Sequence, residues 1–345
     1  MSSMDVWLHG FPLPGTTEQA ARSAERQGYA GLLLADSQNL VGDPYVELAL
    51  AARATGRLGL GVAVTNPVTR DPSVTAAAIA TVHAESGGRA VLGFARGDSA
   101  LRQIGLEPAP LNVFTQALET LQGYLRGGTV EVRGTGARLA WLPAGLTKVP
   151  LDVAASGPKV IAAGALRAER LTFNLGAEPG LLSWALGTAR RARERAGLDP
   201  DDVSYGAYVN VACADDVDGA TEMVRGSASI FAHFAAEAAR HGVPLTEADR
   251  STAEALRDGY RESAHGLTRS AQASALPDAF LRRFALAGPP EELTERIAEL
   301  RGLGLGRLVA VPASRDADPS FVTESNERFA AEVLPAVGRS ELRAC

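Results

Sequence analysis

The apolar positions of this chain follow a pattern that repeats along its whole length. A short run rich in apolar and β-branched residues is followed by a polar or glycine-bearing loop, and then by a longer run with helical spacing. The pattern predicts strands at residues 6–11, 31–35, 58–64, 90–94, 151–155, 171–174, 204–212 and 307–311. It predicts helices at residues 16–27, 44–55, 72–85, 113–126, 158–166, 179–196, 217–240, 289–303 and 319–333. Eight apolar strands alternating with helices indicate an α/β fold, a closed (βα)8 TIM barrel.

Two segments interrupt this alternation. Residues 129–149 contain Gly-Thr-Gly among alternating residues and predict a hairpin extension, whereas residues 242–283 are polar, rich in alanine and predicted to be helical. Long insertions in a barrel usually lie over the loop face, where they shape or cover a pocket. Because no Pro-, Gly- or Ser-rich linker divides the chain, we expect one domain over residues 1–338 and a C-terminal tail at 339–345.

Composition and charge narrow the classes of function. Of the 345 residues, 46% are apolar, which is enough to form a large buried core. The net charge of −6 argues against a positively charged surface that would bind the phosphate backbone of a nucleic acid. The two cysteines, Cys213 and Cys345, cannot build a disulfide framework or a cysteine metal cluster. Apolar stretches fall well short of the roughly 20 residues of a membrane span, and no signal sequence is evident. We therefore expect a cytoplasmic protein without nucleic-acid or membrane partners.

The barrel prediction says where functional residues should lie, since in this fold they follow the carboxyl ends of the strands. His9 and Phe11 end the first strand and are expected to line the pocket. The other candidate segments are residues 35–39, 64–70, 96–99, 155–159 and 174–177. The remaining histidines fall within a helix or in outer helical and inserted segments, so no metal site is predicted; they are His83, His233, His241 and His265.

Three segments resemble a known family. VTNPVTRDPSVTAAAIATVHAESGGRAVLGFARGDSA, at residues 64–100, is similar to the central signature of the deazaflavin-dependent branch of the bacterial-luciferase-like superfamily, above all to methylenetetrahydromethanopterin-reductase-like proteins. VAASGPKVIAAGALRAERLTFNLG at 153–176 and AGPPEELTERIAELRGLGLGRLV at 287–309 add to the likeness. The resemblance implies a luciferase-like barrel with redox activity. Its implied cofactor is coenzyme F420, with FMN as the alternative.

The resemblance also implies cofactor-binding residues. It places a non-prolyl cis peptide bond at Ala63–Val64, behind the cofactor ring, with Thr65 and Asn66 hydrogen-bonding the ring edge or capping the turn. The cofactor's phosphate would bind where a glycine and a proline open a helix beside a lysine, a favourable place for an anion. The implied residues there are Ser156, Gly157, Pro158 and Lys159, together with the loop formed by Leu175, Gly176 and Ala177. Where the family usually has Ala-Asp-Gly, this chain has Ala-Glu-Arg at 168–170.

Candidate catalytic residues follow the second and fourth strands. Related enzymes often have Asp-His where this chain has Asp36 and Ser37, so either another residue transfers the proton or none is needed there. Asp36 could equally cap a helix or form a turn. Asp98 matches a family carboxylate near the substrate side of the ring. Arg96 would attract an anionic substrate or pair with Asp98.

The resemblance implies hydride transfer between a reduced deazaflavin and an electrophilic C=N or C=C carbon of a small organic substrate. The alternatives are an FMN-dependent monooxygenase and, in another class, a non-catalytic barrel that binds a ligand or serves as a partner subunit. Members of the superfamily commonly dimerise through outer helices. The Ala- and Gly-rich faces of the helices at 72–85 and 113–126 therefore predict a homodimer.

Overall fold

A computed structural model describes residues 3–132 and 134–338. Within these ranges the strands, in chain order, are β1 Asp5–Gly10, β2 Gly31–Leu34, β3 Gly59–Thr65, β4 Ala90–Phe94, β5 Val130–Val132, β6 Thr135–Ala137, β7 Leu151–Ala155, β8 Arg170–Phe173, β9 Ser204–Cys213, β10 Leu286–Gly288 and β11 Arg307–Val311. The predicted tail at 339–345 lies outside the described residues.

The helices of the described residues begin mainly after the carboxyl ends of strands. They are α1 Thr17–Gln27, α2 Pro44–Ala54, α3 Pro72–Glu85, α4 Ser99–Arg102, α5 Leu111–Leu125, α6 Pro158–Arg167, α7 Pro179–Arg195, α8 Val217–Ala239, α9 Glu247–Gly259, α10 Ala271–Ser274, α11 Asp278–Phe284, α12 Pro290–Gly302, α13 Pro319–Arg328 and α14 Leu334–Val337. Acidic residues and prolines at their starts explain several boundaries: Asp71 caps α3 ahead of Pro72, and Glu178 caps α7 ahead of Pro179. No helix in the described ranges is long and apolar enough to cross a membrane.

The strands close into a parallel barrel, which confirms the predicted TIM barrel. Each neighbouring pair in the order β1, β2, β3, β4, β7, β8, β9 and β11 is parallel, and β11 pairs with β1 to close the ring. Their apolar side chains pack outward against the helices, whereas the inward face also carries buried polar residues such as Asp152, Thr172 and Arg307. All eight carboxyl ends therefore open at one mouth.

Both predicted insertions are present. The segment 129–149 contains the antiparallel hairpin of β5 and β6, although only three residues pair on each side. The segment 242–283 is helical, with α9, α10 and α11. Strand β10 was not predicted. Its three residues follow α11 and pair in parallel with the carboxyl end of β9.

The closed end of the barrel is filled by a tryptophan and a buried ion pair. The indole of Trp7 lies so close to Gly31 and Gly59 that an added methyl group would approach its ring atoms to 2.2 and 2.5 Å. Beside it, Arg307 Nη2 lies 3.2 Å from Asp152 Oδ2, and both side chains are almost fully buried. This floor closes the barrel, so a ligand can enter only from the mouth.

Candidate active site

His9 lies inside the barrel at the end of β1. His9 pairs in register with Leu33 of β2, which in turn pairs with Gly61 of β3. The ring of Phe11 packs edge-on against the His9 ring, with 5.4 Å between the two ring centroids. Its Nδ1 is buried without a hydrogen-bond partner among the described residues. Burial lowers the pKa of His9 to about 4, against a smaller opposing effect of the Ala63 backbone, so the ring is neutral at pH 7. The expectation that His9 faces the mouth agrees with this position.

The end of β3 departs from regular strand geometry. The Ala63–Val64 peptide bond is cis, as the resemblance implied, and pairing with β4 shifts register between Val62 and Thr65. Thr65 is fully buried, and its hydroxyl oxygen lacks a hydrogen-bond partner among the described residues. Polar groups with open hydrogen-bonding capacity therefore lie next to the mouth.

Asn66 caps the turn that follows β3. Its side-chain oxygen accepts hydrogen bonds from the backbone N–H groups of Val68 and Thr69, both at 3.0 Å. Of the two roles that the sequence left open for Asn66, the structure therefore shows the capping one.

Asp36 belongs to an ion network rather than to a helix cap. Its Oδ2 lies 3.4 Å from Arg70 Nε, and Arg70 Nη2 lies 2.6 Å from Asp43 Oδ2. The Arg70 guanidinium also lies over the Tyr45 ring, 4.9 Å from its centroid. Asp43 accepts the Tyr45 N–H at 2.8 Å and caps α2, so the suggestion that Asp36 is the N-cap was wrong. Arg70 instead holds the buried Asp36 carboxylate in place beside the mouth.

Ser37 starts a turn. Its carbonyl oxygen accepts hydrogen bonds from the N–H groups of Leu40 and Val41, at 2.8 and 3.1 Å. The next side chain, Gln38, donates to the carbonyl oxygen of Ala100 at 2.9 Å and ties this turn to α4. Ser37 therefore follows the end of β2, in a turn that contacts α4.

Arg96 and Asp98 do not pair with each other, contrary to one reading of the sequence. Arg96 Nε donates to the carbonyl oxygen of Ala109 at 2.5 Å and fixes the loop before α5. Asp98 Oδ1 instead lies 2.7 Å from Arg102 Nε, one turn further along the chain. The Asp98 carboxylate is partly exposed after the end of β4, and its countercharge comes from α4.

The segment from Ser156 to Lys159 carries the end of β7 into α6. Pro158 is the first helical residue, Gly157 is the N-cap with φ −90°, and no described side chain caps the helix. A methyl group added at Gly157 would meet nothing within 4 Å, and Lys159 is exposed. The first N–H groups of a helix have no acceptor within it, so this end offers donors and a cation to an anion.

The loop after β8 is packed more tightly than the sequence suggested. Leu175 and Ala177 are buried, and the Ala177 N–H donates to the carbonyl oxygen of Phe284 at 2.7 Å. Gly176 has φ +64°, and a side chain there would come within 2.5 Å of the same oxygen. The Ala177 N–H is thus engaged with α11, and the contact of the Leu175–Ala177 backbone with a phosphate stays a prediction.

Comparison with known proteins identifies the family. A match to the family described as luciferase-like monooxygenase spans residues 8–307. The chain belongs to the luciferase-like monooxygenase family. It is 29% identical over 304 residues to a 5,10-methylenetetrahydromethanopterin reductase of Methanolobus tindarius, covering 84% of this chain and 88% of the relative. It is 30% identical over 312 residues to a phthiodiolone/phenolphthiodiolone dimycocerosates ketoreductase of Mycobacterium bovis (strain BCG / Pasteur 1173P2), covering 85% and 78%.

A solved structure shows the same fold. The coenzyme F420 dependent tetrahydromethanopterin reductase from Methanopyrus kandleri superposes with a TM-score of 0.78 at 24% identity, covering 97% of this chain and all of the other. The relatives and the family together establish that this luciferase-like protein is an oxidoreductase.

Residues 260–269 of this luciferase-like protein form a segment across the mouth, which we call the lid. On one side, Glu262 Oε1 lies 3.9 Å from Arg102 Nε, after β4. On the other side, Arg315, after β11, donates to the His265 carbonyl oxygen at 3.1 Å. Strands β4 and β11 are four steps apart in an eight-stranded ring, so they lie on opposite sides of the barrel. The lid therefore crosses the mouth from one side to the other.

Helix α8 also crosses the mouth, although the sequence placed it on the outside. Asn210 Nδ2, at the open end of β9, donates to Ser227 Oγ of α8 at 2.8 Å. The ring of Phe231 then stacks on Tyr208, whose side chain lies inside the barrel, at 5.9 Å between centroids. The side chain of His233, further along α8, faces the lid.

Two histidines that the sequence placed apart, in outer and inserted segments, meet at one tyrosine. Tyr260 stacks on His233 of α8 with ring centroids 4.0 Å apart, and its hydroxyl lies 2.9 Å from His265 Nδ1. The sequence made no prediction that His233 and His265 contact the same side chain. Asp98 lies close enough to raise the pKa of Tyr260, although burial raises it more. Sequence reasoning missed this group because no local motif links residues 233, 260 and 265.

Proposed function

We propose that this luciferase-like protein is an F420-dependent oxidoreductase that transfers hydride between the deazaflavin and an electrophilic C=N or C=C carbon of a small organic substrate. The proposal is supported by the relatives, which include reductases named for methylenetetrahydromethanopterin and for a ketone. When bound, F420 supplies a two-electron hydride carrier. The protein's part is then binding, orientation and electrostatics.

The residues at the mouth fit such a cofactor. Acidic side chains cap α3, α7 and α8, through Asp71, Glu178 and Asp216, and would repel a phosphate. Helix α6 begins instead with Gly157, leaving its first N–H groups open beside Lys159. This uncapped helix start is the observation on which the proposal depends, because it combines donors, positive charge and free space at the end of a barrel strand. In the proposal, Ser156 and Lys159 bind the phosphate.

The end of β3, two strands along the ring from β7, is the proposed position of the cofactor ring. Ala63, Val64 and Thr65 end β3 and Asn66 follows it, and the buried Nδ1 of His9, which has no hydrogen-bond partner among the described residues, is available to a heterocycle. Because His9 is neutral, it can donate or accept a hydrogen bond without adding charge. In the proposal, these groups orient the ring while Asp36, held by Arg70, supplies negative charge nearby.

Replacing Gly157 with valine tests the proposal. The extended backbone at Gly157 accommodates a β-branched residue, and no described atom lies within 4 Å of the new Cβ, so folding should be unaffected. The side chain would fill the space next to the helix start. We expect F420 affinity, measured by fluorescence titration, to fall by about 10- to 100-fold, the equivalent of one or two charge-assisted hydrogen bonds.

Gly306→Val is the matched control, since Gly306 also has open space around it but lies before β11, at the closed end of the barrel. It should leave F420 affinity unchanged. Equal affinities for all three proteins would contradict the placement of the phosphate. Binding of FMN but not F420 by the wild type would reject the cofactor.

The second candidate is an FMN-dependent monooxygenase, which the description of the matching family favours. Such an enzyme would consume oxygen when supplied with reduced FMN, whereas an F420-dependent reductase would not. Oxygen-electrode measurements with a flavin reductase separate the two. The homodimer also remains a proposal, which sedimentation can test.

A further inference from the structure

A cavity lies beside the hairpin extension, at the closed end of the barrel. Helix α5 ends at Leu125 and β7 begins at Leu151, so the chain between them lies at the amino ends of the strands. The cavity has a volume of about 330 Å³ and is bordered by α3, by the end of α5 and by residues 138–149. This volume is within the range of sites for small molecules. The cavity is separate from the mouth, which opens at the other end of the barrel.

Two polar contacts hold the border of the cavity in place. The Ala90 N–H donates to Nδ1 of the buried His83 at 3.1 Å, and burial lowers the pKa of His83, so the hydrogen of the neutral ring is on Nε2. Nε2 then donates to Thr147 Oγ1 at 3.0 Å. Lys148 Nζ lies 2.8 Å from Oε2 of Glu169, which belongs to the Ala-Glu-Arg sequence at 168–170. Residues 147 and 148 are therefore tied to α3 and to the start of β8.

The walls of the cavity are apolar, and its charged residues are all basic. Four leucines contribute to the walls, namely Leu125, Leu139, Leu142 and Leu146. The basic residues are Arg126, Arg138 and Lys148, and no acidic residue lines the cavity in the described part of the chain. Glu169 compensates the charge of Lys148. The guanidinium groups of Arg126 and Arg138 have no hydrogen bond or ion pair with another described residue, so two positive charges are uncompensated.

The basic groups are close enough to influence one another. Burial lowers the pKa of Lys148 most, Glu169 opposes this effect, and the positive charge of Arg126 lowers the pKa further. Lys148 and Arg126 therefore repel each other. An anion bound among these groups would relieve the repulsion.

We propose that this cavity binds a small phosphate monoester, with the phosphate between Arg126 and Arg138 and an apolar group of the ester against the leucines. A phosphate monoester carries about 1.5 to 2 negative charges at neutral pH, which matches two guanidinium groups. Each guanidinium can donate two parallel hydrogen bonds to phosphate oxygens. A carboxylate has one charge and would leave one arginine uncompensated. The site goes beyond the proposed function, because it lies at the other end of the barrel and requires no F420.

Isothermal titration calorimetry with inorganic, ethyl, butyl and hexyl phosphate tests the proposal. Affinity should rise by up to about 4-fold for each added CH2 group that the apolar walls cover. Hexanoate should bind about 10-fold more weakly than hexyl phosphate, the equivalent of one lost charge-assisted hydrogen bond. Hexanol should not bind measurably, since it leaves the arginines without an anion.

The exposed Trp141 reports where the ligand binds. It lies between Ala140 and Leu142, which both line the cavity, whereas Trp7 fills the floor of the barrel and Trp184 is on α7. Hexyl phosphate should therefore change the tryptophan fluorescence. Trp141→Phe should remove that change and leave the affinity measured by calorimetry within about 2-fold of the wild-type value.

Arginine variants test the contacts with the phosphate. Arg126→Gln and Arg138→Gln should each lower the affinity for hexyl phosphate by about 10-fold, and because both side chains are exposed, the fold should be unaffected. Arg195→Gln is the matched control. It removes an equally exposed guanidinium at the end of α7, outside the cavity, and should leave the affinity unchanged.

Several results would overturn the inference. They are equal affinities for inorganic and hexyl phosphate, wild-type affinity in both Arg126→Gln and Arg138→Gln, and binding of phosphatidic acid vesicles without binding of hexyl phosphate. Loss of hexyl phosphate binding in Gly157→Val would place the ligand at the mouth and would also overturn it. Arg126→Gln should bind F420 as wild type does, so the fluorescence titration with F420 tests the proposed function separately.

Discussion

The ion pair at the barrel floor offers the sharpest test of how this fold is stabilised. Asp152 Oδ2 lies 3.2 Å from Arg307 Nη2, and their side chains are 6% and 3% exposed. The Asp152 carboxylate also accepts a hydrogen bond from Thr172 at 2.7 Å. Arg170, whose pKa is lowered first by burial and then by Arg307, lies nearby. Asp152→Asn would remove the carboxylate charge that compensates two buried guanidinium groups.

The expected loss follows from burial. Removing one partner of a buried ion pair costs about 3–5 kcal/mol, because the remaining charge stays desolvated. With an unfolding entropy of about 2.1 cal/mol/K per residue over 345 residues, this loss lowers Tm by about 4–7 °C. Differential scanning calorimetry of Asp152→Asn and wild type measures it directly.

The matched control is an exposed pair with a shorter distance. Asp218 Oδ1 lies 2.6 Å from Arg282 Nη2, but the two side chains are 84% and 49% exposed. Asp218→Asn should cost at most about 1 kcal/mol. Adding Arg307→Met to Asp152→Asn should recover part of the loss, since it removes one uncompensated charge. If Asp152→Asn and Asp218→Asn lower Tm equally, burial of the floor pair is not what stabilises it, and the reasoning fails.

Two further predictions concern the mouth. A methyl group at Gly93 would lie 1.9 Å from the Val62 carbonyl oxygen, so Gly93→Ala should destabilise the protein by at least about 1–3 kcal/mol, the usual cost of overpacking, as measured by urea unfolding. An unchanged midpoint would show that β3 and β4 can separate freely. The pKa of His9 is about 4 in the folded state and 6.5 in the unfolded state. Between pH 6.5 and pH 4 the unfolded state therefore binds more protons than the folded state. Because of His9, the free energy of unfolding falls as the pH falls through this range. His9→Gln should flatten that fall in Tm, and an unaltered pH dependence would contradict the burial of the ring.

The barrel was predictable because its signal is local. Strands β4, β7 and β11 coincide with their predictions at 90–94, 151–155 and 307–311, since buried parallel strands are short apolar runs bounded by polar residues or glycine. Strand β3 is displaced by one residue, from a predicted 58–64 to Gly59–Thr65. The register shift at its end depends on contact with β4, which no local pattern encodes.

The residues over the mouth were not predictable in the same way. Asp98 and Arg96 are two positions apart, yet Asp98 pairs with Arg102 because α4 turns that side chain back toward it. The length of α8 was a signal in the sequence that this helix does more than connect two strands. At 1.5 Å per residue, its 23 residues make a helix longer than the one needed to run back along the outside of a barrel. The meeting of Tyr260 with α8 depends on tertiary packing across a long separation, and sequence patterns do not report it.

The floor of the barrel and the α4 side of the lid are each held by an ion pair, but the two pairs differ in burial and therefore in strength. The floor pair is buried, and breaking it costs several kcal/mol. The lid is tied to α4 by Arg102 and Glu262, which are 3.9 Å apart and 39% and 24% exposed, so this contact contributes at most about 1 kcal/mol. On the side of β11 the lid is held by more contacts: the backbone N–H and guanidinium of Arg315 donate to the carbonyl oxygens of Gly266 and His265, and Asp316 accepts the Thr268 N–H. Loss of the Arg102–Glu262 contact should therefore free only the α4 side of the lid, whereas loss of the floor pair should destabilise the whole barrel.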